Sequence, residues 1–487
     1  MSDIRKAILF SVLNQHSLEI ISIVSTAILA RLLAPEEIGV FAVATSVAYL
    51  ATELRSFGVG EYLIREKDIN PAKIRTVLGV MVIMSLGLAL ILMGSAPWIA
   101  DFYGNPELRN LLWIIALPFF LAPHTAVPYA LLARDMQFSA IMRINLIGSL
   151  VRNGASIGLV MLGFSYYGLA YGTLASVVAE FLVITYLRPA GTPWMPTFSN
   201  MKHVFQIGVQ ISLAKFLMST SKNASDMVLG RTSSMKDVGL FSRGLGLIQF
   251  LQSALIQAVS PVALPHLAQV KRAGGSVADA YLNAVMLVGA FALPLFAVVN
   301  LAAHPMINAL FGDQWDISVH VASTMAFWAM MQSVHCFFTQ SMLTMGKERL
   351  LMVKEMISLA AKVGLILATY HRGLEFVAWG FVIAGIIDLV VTTTMLKVAL
   401  GLSVRALVKG VLHNLAVAAI CWTTLKLVTL YVDLHHINPW LAILVVAVTM
   451  TPTWLIALRL TNNIAWPFVK GILQKLFSMV PWGNQPG

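Results

Sequence analysis

Long apolar runs dominate the chain, and short polar or charged stretches separate them. A helix that crosses a membrane needs about 20 predominantly apolar residues, and we find fourteen runs of that kind. The pattern therefore predicts an all-α polytopic membrane protein with about fourteen transmembrane helices. The predicted helices centre near Ile21, Val47, Leu86, Phe120, Leu150, Val177, Phe216, Leu251, Phe291, Met330, Leu359, Ile386, Ala418 and Val446.

The segments between these runs are too short to fold as domains outside a membrane. Fourteen spans of about 22 residues use about 310 residues and leave about 175 for all loops and tails. This argues against a membrane-tethered enzyme. The sequence also contains no G-x-x-x-x-G-K-[ST] phosphate-binding motif. We expect a protein that is not an enzyme, with no catalytic residues, no cofactor and no metal site.

Composition supports the membrane assignment. Hydrophobic residues make up 58% of the 487 residues and charged residues only 11%, whereas a soluble domain carries about 25% charged residues. A soluble enzyme, a secreted disulfide scaffold and a disordered chain are excluded. Cys336 and Cys421 both lie in apolar runs, which is typical of small core residues rather than of a disulfide or a metal site.

The excess of basic residues predicts the topology. The net charge is +11, and no water-exposed domain is available to present a basic face to nucleic acid, so we expect no nucleic-acid partner. Nineteen basic residues fall in one alternating set of loops and in the two tails, against five in the other set. Basic residues are retained on the cytoplasmic side, so both termini are predicted to be cytoplasmic. The five are Arg31, Arg109, Arg231, Lys236 and Arg372.

An internal repeat divides the predicted helices into two similar sets. RLLAPEEIGVF at 31–41 and RTSSMKDVGLF at 231–241 share arginine, glycine and phenylalanine at an offset of 200. At an offset of 208, PWIADFYG at 97–104 matches PMINALFG at 305–312. Glu180 and Asp388 are related by the same offset of 208.

The repeat predicts two six-helix lobes of the same orientation, related by a pseudo-two-fold axis along the membrane normal, with a cavity between them. This is a transporter architecture. We therefore expect an N-terminal lobe at 1–190, a second lobe at 200–400, two additional transmembrane helices at 405–460 and a cytoplasmic amphipathic tail at 464–487.

The seventh span carries the most polar residues. Lys215, Lys222 and Asp226 share one helical face, because spacings of seven and four residues bring side chains to the same side. Two interpretations remain open. Lys222 and Asp226 form an intrahelical ion pair, or the lysines help to form a cationic cavity for an anionic head group.

Three arginines within other spans are further candidates for this cavity: Arg152, Arg243 and Arg55. Arginine stays charged and binds phosphate oxygens through two parallel hydrogen bonds. The alternative is that each guanidinium extends to the membrane surface while its stem stays buried.

Embedded acidic residues suggest coupling to an ion. Glu19 and His16 lie three residues apart on one helical face and are candidates for a proton site, as is Asp226. Glu180 and Asp388 are related by the repeat, so they have either a matched structural role or a role in proton coupling. Charges at this depth usually face a cavity or a partner.

The segment 29–69 resembles the opening signature of bacterial polysaccharide and lipopolysaccharide flippases. That signature reads L-A-R-x-L-x-P-x-x-x-G and, after a further span, x-x-G-x-G-x-x-L-I-x-x-K-D. Ser56 and Phe57 stand where that family often has an acidic residue and leucine. These flippases belong to the multidrug/oligosaccharidyl-lipid/polysaccharide exporter superfamily. The matching residues here are Leu29, Ala30, Arg31, Leu33, Pro35, Gly39, Gly58, Gly60, Leu63, Ile64, Lys67 and Asp68.

The resemblance implies a lipid-linked substrate and a location in the bacterial cytoplasmic (inner) membrane. The expected activity is alternating-access flipping of undecaprenyl-pyrophosphate-linked oligosaccharide units to the periplasmic leaflet, for exopolysaccharide, capsule or O-antigen synthesis. The expected partners are that lipid-linked glycan, the lipid bilayer, and a polysaccharide polymerase with its assembly proteins, and we expect a monomeric transport unit. The alternative is an ion-coupled drug or cation antiporter of the same superfamily.

Overall fold

The computed structural model describes residues 2–56, 60, 62–63, 66, 68–189, 191–199 and 201–479. Within these ranges, side chains are described except at 2–12, 56, 203–204, 206–211, 214, 257–262, 264, 348 and 475–479. Three residues of the flippase-like motif, Gly58, Ile64 and Lys67, lie outside the described residues.

The protein is all-α, as the sequence predicts, and the described residues contain no β-strand. The seventeen α-helices whose bounds the described residues give are numbered in chain order. They are α1 (Ser2–Leu32), α2 (Pro35–Ser56), α3 (Pro71–Tyr103), α4 (Glu107–Ala116), α5 (Pro118–Arg134), α6 (Phe138–Leu159), α7 (Tyr167–Tyr186), α8 (Met201–Thr232), α9 (Met235–Arg272), α10 (Val277–Leu310), α11 (Asp316–Val334), α12 (Phe338–Met345), α13 (Glu348–Thr369), α14 (Leu374–Leu400), α15 (Val404–Tyr431), α16 (Pro439–Leu460) and α17 (Trp466–Met479).

These helices form fourteen segments of membrane-spanning length, followed by the short helix α17. A single residue separates α4 from α5, and three residues separate α11 from α12, so each pair counts as one segment. Among the described residues, nine of these segments contain a stretch that is long and apolar enough to cross a membrane. Helix α8 is not among the nine and contains Lys215, Lys222 and Asp226, and charged side chains of this kind usually face an interior or aqueous surface rather than lipid.

The first part of the internal repeat has a structural counterpart at two helix starts. Gly39 is the fifth residue of α2, and Gly239 is the fifth residue of α9. Glu37 and Asp237 each accept a hydrogen bond from the backbone N–H three residues earlier, at 2.7 and 3.3 Å. Both carboxylates thereby satisfy a free N–H group at a helix N-terminus. The predicted equivalence of these two segments is confirmed.

The second part of the repeat coincides with two helix ends. Gly104 ends α3 in the left-handed conformation, with φ at 63°. Gly312 follows α10 and also has a positive φ, at 94°. Glycine takes positive φ without the steric cost that a side chain would incur. The repeat therefore marks the same structural boundary twice.

The first of two compact units comprises Met1–Ser242. Within it, α8 packs against α2 and α3, and α6 packs against α1 and α7. One buried cluster joins α3 to α5 through residues such as Leu78, Met81 and Val127. The division between the units falls inside α9 and so differs from the expected boundary near 190–200, because α8 packs on this unit. The predicted lobe boundary stays a prediction.

The second unit comprises Arg243–Gly487. Its helix α10 packs against α11, α15 and α16. The two helices beyond the repeat, α15 and α16, therefore form part of this unit's core, where Val417 and Ala442 are fully buried. Helix α17 contributes the buried Val469 to the same core, while Phe468 and Ile472 stay exposed.

Candidate functional site

A cavity of about 430 Å³ lies inside the first unit. Residues of α1, α2, α4, α5, α6 and α7 line it. Its walls combine aromatic and hydroxyl side chains, including Tyr49, Phe119 and Thr52, with three charged residues. Polar groups in an otherwise apolar membrane helix usually face such a space. The charged residues are Arg55, Arg152 and Glu180, all of which the sequence analysis selects.

Arg55 is held at one wall of this cavity by an aromatic ring. Its guanidinium carbon lies 5.0 Å from the centre of the Phe119 ring, a distance at which a cation is attracted to the ring face. Its Nε is buried and makes no hydrogen bond among the described residues. The side chain of Arg55 is therefore oriented by Phe119 and retains donor capacity for an anion.

Arg152 and Glu180 lie on neighbouring helices of the same cavity, near enough for their opposite charges to interact. The Ser176 hydroxyl donates a hydrogen bond of 2.9 Å to the Glu180 carboxylate. Gly148 packs directly against the Glu180 side chain, where a Cβ would overlap the carboxylate. Glu180 is thus fixed by its own helix and by α6, whereas Arg152 is exposed.

A smaller polar cavity of about 170 Å³ lies inside the second unit. Asp388, the repeat counterpart of Glu180, lines it together with Lys354. The Lys354 ammonium is 3.3 Å from an Asp388 oxygen, and the Gln332 amide donates a 3.2 Å hydrogen bond to the other oxygen. Each unit therefore has a cavity with one repeat-related carboxylate and a basic side chain.

His335 also borders the smaller cavity, where both ring nitrogens have partners. The Tyr281 hydroxyl lies 2.8 Å from Nδ1, and the Thr393 hydroxyl lies 2.8 Å from Nε2. These contacts join α10, His335 at the end of α11, and α14. A buried histidine with both nitrogens satisfied holds neighbouring helices together.

The structure places the polar residues of α8 in different environments. Lys215 is half-buried, Lys222 is exposed, and Asp226 accepts a 3.4 Å hydrogen bond from the Ser46 hydroxyl of α2. Within the described part of the chain, no ion pair between Lys222 and Asp226 is found. Neither lysine is among the described residues that line the two cavities. The proposed binding role of Lys215 and Lys222 stays a prediction.

The remaining candidates lie away from both cavities. Arg243 stacks beside Phe311 and Trp315, with both ring centres 5.7 Å from its guanidinium carbon. His16 Nδ1 lies 3.5 Å from a Glu19 carboxylate oxygen near the middle of α1. Among the residues whose side chains are described, no group of three or more His, Cys, Asp or Glu comes together in a way that would hold a metal ion.

Lys354 is the residue that the sequence analysis missed. It is a charged residue in an apolar run, eight positions before Lys362, and this signal was available in the sequence. The sequence could not show that Lys354 pairs with Asp388, because the two residues are 34 positions apart and lie on successive helices, α13 and α14.

Comparison with known proteins decides the family. A family model described as polysaccharide biosynthesis protein matches residues 28–320, which is more than half of the chain. The chain belongs to this family. The resemblance drawn from the segment 29–69 is thereby confirmed.

Relatives of the polysaccharide biosynthesis protein family have concordant names. The chain is 21% identical to the teichuronic acid biosynthesis protein TuaB of Bacillus subtilis over 82% of this chain and 83% of that one. It is 24% identical to the succinoglycan biosynthesis transport protein ExoT of Rhizobium meliloti over 65% of this chain and 64% of that one. It is 20% identical to the lipopolysaccharide biosynthesis protein WzxC of Escherichia coli, with 64% of each chain covered.

Solved structures similar to this family member are membrane transporters of the same fold. The lipid II flippase MurJ in an inward closed conformation gives a TM-score of 0.76 at 14% identity, covering 96% of this chain and 100% of that one. An inward-facing multidrug transporter of the MATE family gives a TM-score of 0.65 at 18% identity, and the match covers 80% of this chain and 96% of that one. The protein is therefore a polytopic membrane protein with a transporter fold.

Proposed function

We propose that this protein flips undecaprenyl-pyrophosphate-linked oligosaccharide units from the cytoplasmic to the periplasmic leaflet for surface polysaccharide synthesis. Membership of the polysaccharide biosynthesis protein family, whose relatives are named as biosynthesis and transport proteins, supports this function. The single structural observation that carries it is the 430 Å³ cavity with two arginines on its wall.

The chemistry of the substrate explains why arginines are needed there. A pyrophosphate cannot enter hydrocarbon without compensation for its lost hydration. Arg55 and Arg152 supply charge and parallel N–H donors, and the hydroxyl and aromatic side chains of Thr52, Thr125 and Tyr49 suit a glycan. We propose that Arg55 and Arg152 bind the pyrophosphate and that Lys215, Lys222 and Arg243 add positive charge along its route.

Coupling to an ion supplies the driving force in this proposal. Glu180 and Asp388 are the strongest coupling candidates, because each lies in a cavity beside a basic side chain. Glu19 with His16, and Asp226, are the remaining candidates. The proposed transport unit is a single chain that acts without a catalytic step.

We place the protein in the bacterial inner membrane with both termini in the cytoplasm. The alternation of nineteen basic residues with five supports this orientation. The exposed Phe468 and Ile472 of α17 suit the inner membrane surface. A polysaccharide polymerase and its assembly proteins receive the flipped unit on the periplasmic side.

The proposal is tested in a strain that lacks the protein. Lipid-linked oligosaccharide should accumulate on the cytoplasmic side, and one surface polysaccharide should disappear. Wild-type protein at native level should remove the accumulated intermediate and restore the surface polysaccharide. An unchanged polysaccharide profile, with no accumulated intermediate, would overturn the proposal.

The second candidate is an ion-coupled drug or cation antiporter. Glu180 in the larger cavity favours it, because a carboxylate attracts cations. Efflux of cationic dyes by cells that overproduce the protein measures this activity. Dye efflux without any defect in surface polysaccharide would favour the antiporter.

A further inference from the structure

The Lys354 ammonium lies between two carboxylates inside the second unit. It is 3.3 Å from Asp388 and 3.2 Å from Glu355. The exposed fractions of the three side chains are 14% for Lys354, 9% for Asp388 and 17% for Glu355. The Gln332 amide fixes the Asp388 carboxylate from its other side. Two carboxylates thus contact the Lys354 ammonium in a nearly enclosed space.

Asp388 and Glu355 are arranged like the ligands of a cation site, and the cation that they contact is the ammonium group of Lys354, which belongs to the chain itself. Without the Lys354 ammonium, Asp388 and Glu355 would face each other's charge with little water to screen it, which is costly, and the charge of Lys362 would offset only part of that cost. The 170 Å³ cavity adjoins Lys354 and Asp388, and Thr392 and Gln252 add polar atoms to its wall. The repeat counterpart Glu180 differs, because it accepts a hydrogen bond from Ser176 and faces the larger cavity.

We propose that Asp388, Glu355 and the adjoining cavity form a binding site for a small monovalent cation, and that the Lys354 ammonium is its built-in occupant. The ligand class is therefore ammonium or a short alkylammonium. In the wild-type protein the tethered ammonium excludes such ions. Shortening the Lys354 side chain opens the site to a free cation of the same kind.

The size of the cavity sets which cations enter. One water molecule takes about 30 Å³ of liquid volume, so the cavity has room for a few molecules of that size even before the lysine stem is removed. Ammonium and methylammonium meet this limit. N-Methylglucamine, with its six-carbon polyol chain, serves as the bulky cation that keeps ionic strength constant.

The test uses thermal unfolding of the purified full chain, so its result does not depend on the proposed flippase function. Lys354→Ala should gain stability as methylammonium or ammonium replaces N-methylglucamine, with a saturable rise in Tm of about 2–4 °C. The wild-type protein should show no such rise. Should Lys354→Ala not stay folded in N-methylglucamine, recovery of monodisperse protein in methylammonium is the equivalent expected result.

Three variants identify the carboxylates as the ligand. Lys354→Ala/Asp388→Asn should lose the response to methylammonium, and Lys354→Arg should lack it because a tethered cation remains. Lys397→Ala is the control, since Lys397 is an exposed lysine near the end of the neighbouring helix α14. A Lys354→Ala protein that neither responds to nor is recovered by methylammonium would overturn the proposal. An equal response in the wild type or in Lys397→Ala would do the same.

Discussion

Gly39 and Gly239 lie against each other where α2 and α9 begin. A Cβ on Gly39 would overlap the backbone carbonyl of Met235, and a Cβ on Gly239 would overlap that of Pro35. The contact is reciprocal: each glycine meets the first residue of the other's helix. The repeat that the sequence displays at an offset of 200 therefore also creates a close backbone contact.

This contact predicts that both glycines are required for stability. Gly39→Ala or Gly239→Ala forces two backbones apart, and overpacking of this kind costs about 1–3 kcal/mol. We expect a lower Tm in detergent and a lower yield from the membrane. Gly87→Ala is the control, because nothing lies within 4 Å of its Cβ position. Equal Tm values for all three variants would contradict a close contact between these helices.

The larger cavity predicts the effect of removing either arginine. Arg55→Ala and Arg152→Ala should each lower flipping by about 10- to 100-fold, because hydrogen bonds to charged groups contribute about 1.5–3 kcal/mol. The measurement is surface polysaccharide at matched protein level in a complemented deletion strain. Arg109→Ala, an exposed arginine 5.5 Å from the Trp113 ring, should leave output unchanged.

The two lysines of α8 differ in exposure, and their effects should differ accordingly. Lys215 is half-buried and Lys222 is exposed, so solvent screens the charge of Lys222 more strongly. Lys215→Ala should impair polysaccharide output more than Lys222→Ala, while Lys215→Arg retains output. Full output from the double variant would show that neither lysine contributes to binding, which leaves Arg55 and Arg152 as the phosphate-binding residues.

The segment between α7 and α8 is docked on the first unit, and this docking is testable. The Trp194 ring centre lies 3.7 Å from the Arg188 guanidinium carbon of the same segment and 5.9 Å from the His124 ring centre of α5. The Thr197 N–H donates a 3.0 Å hydrogen bond to the Arg75 carbonyl of α3. Trp194→Ala should accelerate proteolysis within 189–199. Met195→Ala, whose side chain is 75% exposed in the wild type, is the control and should not change the rate.

The topology is tested with reporter fusions. Fusions after Asp101 and His435 should report a periplasmic location, and a fusion after Lys271 should report the cytoplasm, because basic residues are retained inside. A cytoplasmic signal at His435 would contradict the order of the last two spans.

The sequence determined the features that depend on local composition. Apolar runs determine helices, since a helix satisfies its own backbone groups in lipid, and the fourteen predicted spans match fourteen long helical segments. Arg31–Phe41 and Arg231–Phe241 revealed the repeat because glycine and the acidic caps are needed at both helix starts. The position of charged residues within apolar runs identified Arg55, Arg152, Glu180 and Asp388, and all four line a cavity.

Only the tertiary structure decided which of these residues meet. A helical face is known from spacing, but the neighbour that covers it comes from a distant part of the chain. Arg152 and Glu180 therefore share one cavity while Arg243 lies elsewhere, and Asp226 contacts Ser46 rather than Lys222. The pairing of Lys354 with Asp388 depends on the packing of α13 against α14. Hydropathy indicates how strongly a side chain avoids water, but it does not indicate which residue takes the place of water around that side chain.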